Sequence, residues 1–286
     1  MPITAFFLVL LAAVAHATWN FLAKRASACK LLIWFSSSAE ALLFLPVAVW
    51  AVASSWPKLG LKATLFLIAT GVLHLLYTES LLRGYRSGDF SAVYPVARGA
   101  GPLLSFFGAI LVLHEHLSLP ALAGALLVTF GILFSSGGLF ALWREDNRAG
   151  LAWGLATGCI IASYTLVDGY SVKTLLISPF LVEYAGNLFR TVLLSFGAFY
   201  NRRLLATEFR GCAKEAFGIA LLTPAAYILV LFAMRIAPIS RVAPLREMSM
   251  LIGVYLGIRF LKEKHMLQRL VGSALIVTGV AALAVG

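Results

Sequence analysis

Ten apolar runs, each near the length of one bilayer crossing, leave this 286-residue chain almost nothing from which to build a water-soluble core. They cover residues 3–22, 31–53, 63–82, 91–113, 119–137, 150–168, 180–199, 215–234, 240–260 and 267–285. A crossing needs about 20 apolar residues. Lipid offers no partner for open backbone groups, so each run is expected to be a helix. The sequence therefore predicts an all-α integral membrane protein of ten transmembrane helices, its partner the lipid bilayer, with no sizeable domain outside it. Composition agrees: 61% of residues are hydrophobic and 12% charged, against about 45–50% and 25% in an average soluble domain.

The net charge of +11 follows the same division. Most bases fall in the connections, where they orient helices, so no nucleic acid partner is expected. Counting bases at the run ends, the connections after odd-numbered runs hold 15 Lys and Arg and those after even-numbered runs hold 5. That asymmetry predicts odd connections in the cytoplasm and both termini outside. Ala15-His16-Ala17 imitates a signal-peptide cleavage site, but no base precedes the first run, which is expected to be retained. Cys29, Cys159 and Cys212 are odd in number and lack CxxC spacing, so neither a disulfide framework nor a zinc site is expected. No cofactor is expected either, because no nucleotide-binding glycine pattern occurs.

Sliding the first half by 148 residues superimposes several unusual positions. Arg98 falls on Arg246, Glu115 on Glu263, Gly124 on Gly272 and Gly131 on Gly279; His16 falls on Tyr164 and Asn20 on Asp168. With one residue of slip, Ser91-x-Val93-x-Pro95 matches Ser240-x-Val242-x-Pro244. The chain thus reads as two five-helix repeats, 1–137 and 150–286, joined by a polar connection at 138–149. Five is odd, so the second repeat must enter the membrane from the opposite side. Inverted repeats with a binding site near the midplane are a recurrent transporter construction.

These features carry a resemblance. The duplicated halves, Ser91-Ala92-Val93-Tyr94-Pro95 with Ser240-Arg241-Val242-Ala243-Pro244, and the twice-repeated Glu-x8-Gly-x6-Gly pattern resemble the drug/metabolite transporter superfamily, in particular its EamA-type ten-helix members. His16-Ala17-Thr18-Trp19-Asn20-x3-Lys24 resembles a bacterial subgroup that includes proteins associated with phosphonate utilisation. The resemblance implies helices around a central cavity in a bacterial cytoplasmic (inner) membrane, and small-metabolite transport by alternating access without a nucleotide.

Ionisable residues within the runs mark the candidate site, since each costs about 2.5–3.5 kcal/mol at a helix centre unless it meets water or a partner. His16, Asn20 and Lys24 recur every four residues, with Trp19 beside them, and Tyr164 with Asp168 answers in the sixth run. Such stripes either line a cavity or glue helices together. Tyr94 and Arg98 share a face of the fourth run next to Gly101-Pro102, which should loosen that helix. Arg98 has no acid near it in sequence; Arg246 has Glu247. Glu183, Asn187 and Arg190 share a face of the seventh run, and the repeat sets Arg190 against Glu40 as either an ion pair or a transport element. Tyr227 joins the interior aromatics. His74 suits packing or a proton relay, which leaves proton coupling open.

His114-Glu115-His116 lacks metalloprotease spacing and reads as an interfacial turn. Gly150, Gly154 and Gly158 form a small-residue seam for which packing within the bundle is the default and a dimer interface the alternative, so the protein is expected as a monomer or a homodimer. Three activities remain. The leading expectation is a secondary transporter, not an enzyme, for a small-molecule substrate that is polar and either zwitterionic or anionic. An intramembrane enzyme acting on a lipid-linked substrate and a non-transporting membrane subunit are the alternatives.

Overall fold

The computed structural model describes residues 1–26, 29–55, 60–87, 90–116, 118–135, 148–200, 202–252, 255 and 266–285, and every regular element among them is helical. In chain order these are α1 (Ile3–Arg25), α2 (Leu32–Ser55), α3 (Leu61–Ser87), α4 (Phe90–Leu113), α5 (Leu119–Ser135), α6 (Arg148–Lys173), α7 (Pro179–Tyr200), α8 (Arg202–Ile236) and α9 (Ile239–Leu245). A single 3-10 turn, Arg246–Met248, follows, and α10 (Met266–Val285) comes last. Six stretches among the described residues are long and apolar enough to cross a membrane: Ile3–Arg25, Leu32–Ser54, Leu61–Ser87, Val96–Leu113, Arg148–Lys173 and Thr207–Ile236. Leu119–Phe134 and Val271–Val285 are apolar but shorter. The chain is therefore a helical membrane protein, with six such helices among the described residues where ten spans were expected. Most of the ninth run beyond residue 252, most of the 138–149 connection and Lys262-Glu263-Lys264 lie outside the described residues.

Side-chain size explains the packing. On α1 the buried positions are Ala5, Val9, Ala12, Ala13 and Ala17, whereas Ile3, Phe7, Leu11 and Val14 face outward. Lipid is as apolar as leucine, so helices gain nothing by hiding large side chains and gain van der Waals contact by bringing small ones together. Glycine carries this furthest. A Cβ on Gly124 would stand 2.6 Å from the Gly279 carbonyl oxygen, and one on Gly131 would stand 2.8 Å from that of Gly272, so α5 and α10 cross backbone against backbone. Gly154 and Gly158 lie against Val93, Ala97 and Ala100 of α4, which makes their seam an intramolecular one. The main contacts otherwise join α1 to α8, α3 to α6, α2 to α7 and α8, and α3 to α7.

Two sequence expectations change. Residues 202–214, read as a connection, belong to α8. Leu205, Phe209, Cys212, Ala216 and Ile219 make a helical stripe that packs on Phe35, Leu32 and the end of α1, so the helix continues past its apolar run. Cys29 and Cys212 are paired as a disulfide, their Cα atoms 6.3 Å apart across 183 residues, which spacing in sequence could not reveal. α4 runs through Gly101-Pro102. The Ser105 hydroxyl donates to the Gly101 carbonyl at 2.8 Å and the Thr129 hydroxyl to that of Gly99 at 3.3 Å, which covers backbone acceptors around the missing proline N–H.

Glu115 does more than form a turn. Its carboxylate accepts the backbone N–H groups of Ile239 (2.8 Å) and Ser240 (2.9 Å) and the Ser240 hydroxyl (2.7 Å), and it pairs with Lys173 at 3.1 Å. An acid from the first half thus holds the first turn of α9, where helix N–H groups lack partners of their own. Burial works against its charge, but the Ser240 and Ile239 donors and Lys173 outweigh it and hold the carboxyl below the ordinary glutamate range. A depressed folded pKa gives stability that is present above the unfolded value and lost as pH falls through the folded one. Glu115→Gln should therefore cost about 0.5–2 kcal/mol at neutral pH, the range of a lost cap. Thermal unfolding of both proteins from pH 7 downward should show that gap closing below the ordinary carboxylate range.

Candidate functional site

Pro244 lacks the N–H that would close the last turn of α9, and the chain tightens into the 3-10 turn at Arg246–Met248. That turn carries Arg246 and Glu247 inward together. Glu247 is 0% exposed, and its Oε2 stands 2.8 Å from Arg98 Nη2 of α4 while Oε1 is 3.6 Å from Arg246 Nε. Arg98, which has no acid nearby in sequence, therefore takes its counterion from the second half. Arg246 is left with the longer contact. It is 5% exposed, and its Nη2 has no hydrogen-bond partner among the described residues. Two guanidiniums against one carboxylate leave a net positive charge, since arginine stays protonated in any protein setting. His16 faces the same two arginines.

Beside this triad lies an aromatic and acidic group. His74 of α3 stacks on Tyr164 of α6 with ring centroids 4.4 Å apart, and Tyr227 of α8 closes edge-on at 5.6 Å from His74. Asp168, one turn beyond Tyr164, is 0% exposed. Its Oδ2 accepts the Tyr227 hydroxyl at 2.5 Å and stands 4.0 Å from His74 Nε2; its Oδ1 has no partner among the described residues. Arg246 reaches Tyr164 and Tyr227 electrostatically, which joins the two groups into one interior.

A third cluster ties α2 to α7. Arg190 Nη2 donates to Asn187 Oδ1 at 2.8 Å and stands 3.5 Å from Glu40 Oε2, Arg190 Nε donates to the Ser37 hydroxyl at 3.1 Å, and Asn187 Nδ2 donates to the Ser37 carbonyl at 3.1 Å. Glu183 lies beside Glu40 and Arg190 and is buried. The Glu40 to Arg190 pairing suggested by the repeat is thus present as an ion pair, and Asn187 and Arg190 are occupied by it.

The remaining candidates lie on α1 and α4. Trp19 Nε1 donates to His16 Nδ1 at 3.3 Å, and Asn20 Nδ2 donates to the His16 carbonyl at 2.7 Å, so much of the first stripe satisfies itself. The Tyr94 side chain lies outside the described residues. His74 gained little weight from the sequence, because a lone histidine on an apolar face usually packs; only the fold sets it between Tyr164 and Asp168. Thr70, one turn before it, offers His74 a hydroxyl at 3.2 Å and a carbonyl at 3.0 Å and carried no sequence signal. A separate cavity of about 690 Å³ opens between α2 and α8, lined by Trp34, Phe35, Leu42, Leu43, Phe209 and Phe217. Its wall is almost wholly apolar, as suits an acyl chain, and none of the charged groups above lines it.

No protein-family model matches the chain, and no curated protein matches it. Among solved structures, the crystal structure of a protein covers 100% of this chain and 98% of its own length, with a TM-score of 0.76 at 15% identity. At that identity the likeness shows a shared fold and nothing of function.

Arg190 is the cation between two buried acids, and removing one partner of a buried pair costs about 3–5 kcal/mol. Arg190→Met should lower the melting temperature sharply. Adding Glu40→Gln to it should recover part of the loss, and Arg190→Lys should fall between wild type and Arg190→Met, because lysine keeps charge but loses the fork that reaches Ser37 and Asn187 together. Thermal denaturation of the four purified proteins checks the order.

Proposed function

We propose that this chain is a secondary transporter that moves a small zwitterionic or anionic metabolite across a bacterial cytoplasmic membrane by alternating access, built as ten helices in two inverted repeats. The observation that carries the reading is Arg246: a buried guanidinium in a membrane protein, its Nη2 without a partner among the described residues, in a triad of net positive charge. Holding an uncompensated cation in a membrane interior is expensive, and such residues mark substrate or ion paths. A planar guanidinium suits a carboxylate or phosphonate, which it can hold through two parallel hydrogen bonds.

The inverted repeat draws support from the packing. Exchanging each helix of the first half for its counterpart turns the α1 to α8 contact into the α6 to α3 contact and the α2 to α8 contact into the α7 to α3 contact. It also turns the Gly124 to Gly279 approach into the Gly272 to Gly131 approach. Arg98 and Arg246 are equivalent under that exchange, and both meet Glu247, which is where a repeat interface would put a binding site. These features, with the sequence patterns in both halves, are the ground for assigning the chain to the EamA-type drug/metabolite transporters.

Reconstitution tests this. Proteoliposomes should take up at least one member of a radiolabelled panel of amino acids, aminophosphonates and organic anions, saturably. Arg246→Ala should lower that uptake about tenfold to a hundredfold, the worth of a charge-assisted contact, with the melting temperature little changed because Glu247 keeps Arg98. Undiminished uptake by Arg246→Ala would remove this residue from the site, and no uptake of any panel member by wild type would count against transport.

A further inference from the structure

Asp168 is wholly buried, has no salt bridge to a lysine or arginine among the described residues, and is aimed at a histidine that stops short of a hydrogen bond. Desolvation opposes a carboxylate in that position, and the Thr70 and Tyr227 hydroxyls and the more distant Arg246 offset it only in part. The neighbours define what it lacks. His74 Nδ1 lies 3.0 Å from the Thr70 carbonyl, which can only accept, so Nδ1 carries the hydrogen and the neutral ring presents its Nε2 lone pair toward Asp168 Oδ2 at 4.0 Å. The Tyr227 hydroxyl donates to that same oxygen at 2.5 Å, and Oδ1 has no partner among the described residues. Between a carboxyl and an imidazole lone pair there is room for one proton.

Among the described residues, the charged and titratable groups that reach Asp168 or His74 come from several elements. α3 contributes His74, α8 contributes Tyr227, α7 contributes Glu183 toward Asp168 and Arg190 toward His74, and the 3-10 turn contributes Arg246 to both; Lys62 and Arg83 of α3 meet α6 farther along, at Tyr170 and Trp153. Tyr164 precedes it by a turn on its own helix. α4 carries Arg98, paired with Glu247, and α9 carries Arg241.

Building on the transporter reading, we propose that Asp168 is the coupling-proton site and His74 its exit relay. With the interior closed, as here, the proton resides on the Asp168 carboxyl. A side-chain movement that closes the 4.0 Å gap breaks the carboxyl O–H bond and forms an N–H bond at His74 Nε2. The imidazolium then gives a proton to water on the side that opens, and Asp168 is left a carboxylate until it is reprotonated. One proton moves per cycle, with no co-reactant beyond water.

Infrared difference spectroscopy of the protein in lipid nanodiscs reads the proton directly and needs no substrate. A protonated-carboxyl band that titrates with pH should be present in wild type and absent from Asp168→Asn. Should that variant fail to fold, Tyr227→Phe keeps the ring but not the phenol, and it should move the pH at which this band disappears while bands of other carboxyls stay in place. Absence of the band from wild type, or its persistence in Asp168→Asn, would overturn the proposal.

Transport supplies the second readout, with labelled alanine and aminomethylphosphonate as probes. A pH gradient should raise wild-type accumulation several-fold above equilibrium, and Asp168→Asn should exchange label without accumulating it. Saturable wild-type uptake indifferent to the gradient would overturn the proton site and leave the transporter reading standing. If neither probe enters, the setback falls on the transporter reading, and the infrared titration still decides the proton site.

Discussion

A buried carboxylate held between two arginines governs the interior of this protein. Glu247 cannot be moved, neutralised or lost without stranding Arg98, because membrane interiors give a guanidinium no water to fall back on. Arg98 comes from α4 and Glu247 from the turn after α9, so the ion pair fixes two helices of different halves against each other. Glu115 reinforces the same junction from outside by holding the first turn of α9. The geometry of the site is thereby inherited from two acids, one capping α9 and one following it.

Charge bookkeeping over the interior follows from this arrangement. Arg98, Arg190 and Arg246 are permanent cations; Glu40, Asp168, Glu183 and Glu247 are the acids around them. Glu247 pairs with Arg98, and Glu40 with Glu183 flanks Arg190, which leaves Arg246 and Asp168 with the longest contacts to an opposite or titratable partner, 3.6 and 4.0 Å. Among the described residues, one is a cation with an unpartnered Nη2 and the other an acid with an unpartnered Oδ1. Arg246 reaches Tyr164 and Tyr227 electrostatically, and the Tyr227 hydroxyl donates to Asp168, so the two groups share one set of rings.

Much of this was readable from residue order and some was not. Alternation of apolar runs with charged connections gave helices and lipid, and the offset between the halves paired Glu40 with Arg190 before any coordinates. The glycines at repeated positions related the two halves, but their crossing between α5 and α10 was not read from them, since the partner of each glycine depends on antiparallel packing. Residues 202–214 were misjudged because their apolar positions are diluted by Arg210 and Lys214 on the opposite face and by Glu208 beside the stripe, whose carboxylate accepts the Lys30 backbone N–H; composition read a loop where the fold has a helix. The Cys29 to Cys212 pairing, the Arg98 counterion and the importance of His74 all depend on contacts between distant segments. No local signal encodes such contacts, so the emphasis placed on Arg98 alone shifts to Arg246 once Glu247 is seen to be shared.

The central claim, that Arg98 and Glu247 neutralise each other across the two halves, is tested most directly by a double-mutant cycle on the unfolding of purified protein. Arg98→Met, Glu247→Gln and the double variant should give an interaction of about 1–3 kcal/mol, with the double variant more stable than Glu247→Gln alone, because removing Arg98 relieves the stranded charge. Additivity to within about 0.5 kcal/mol would mean the two groups do not feel each other and would contradict the account.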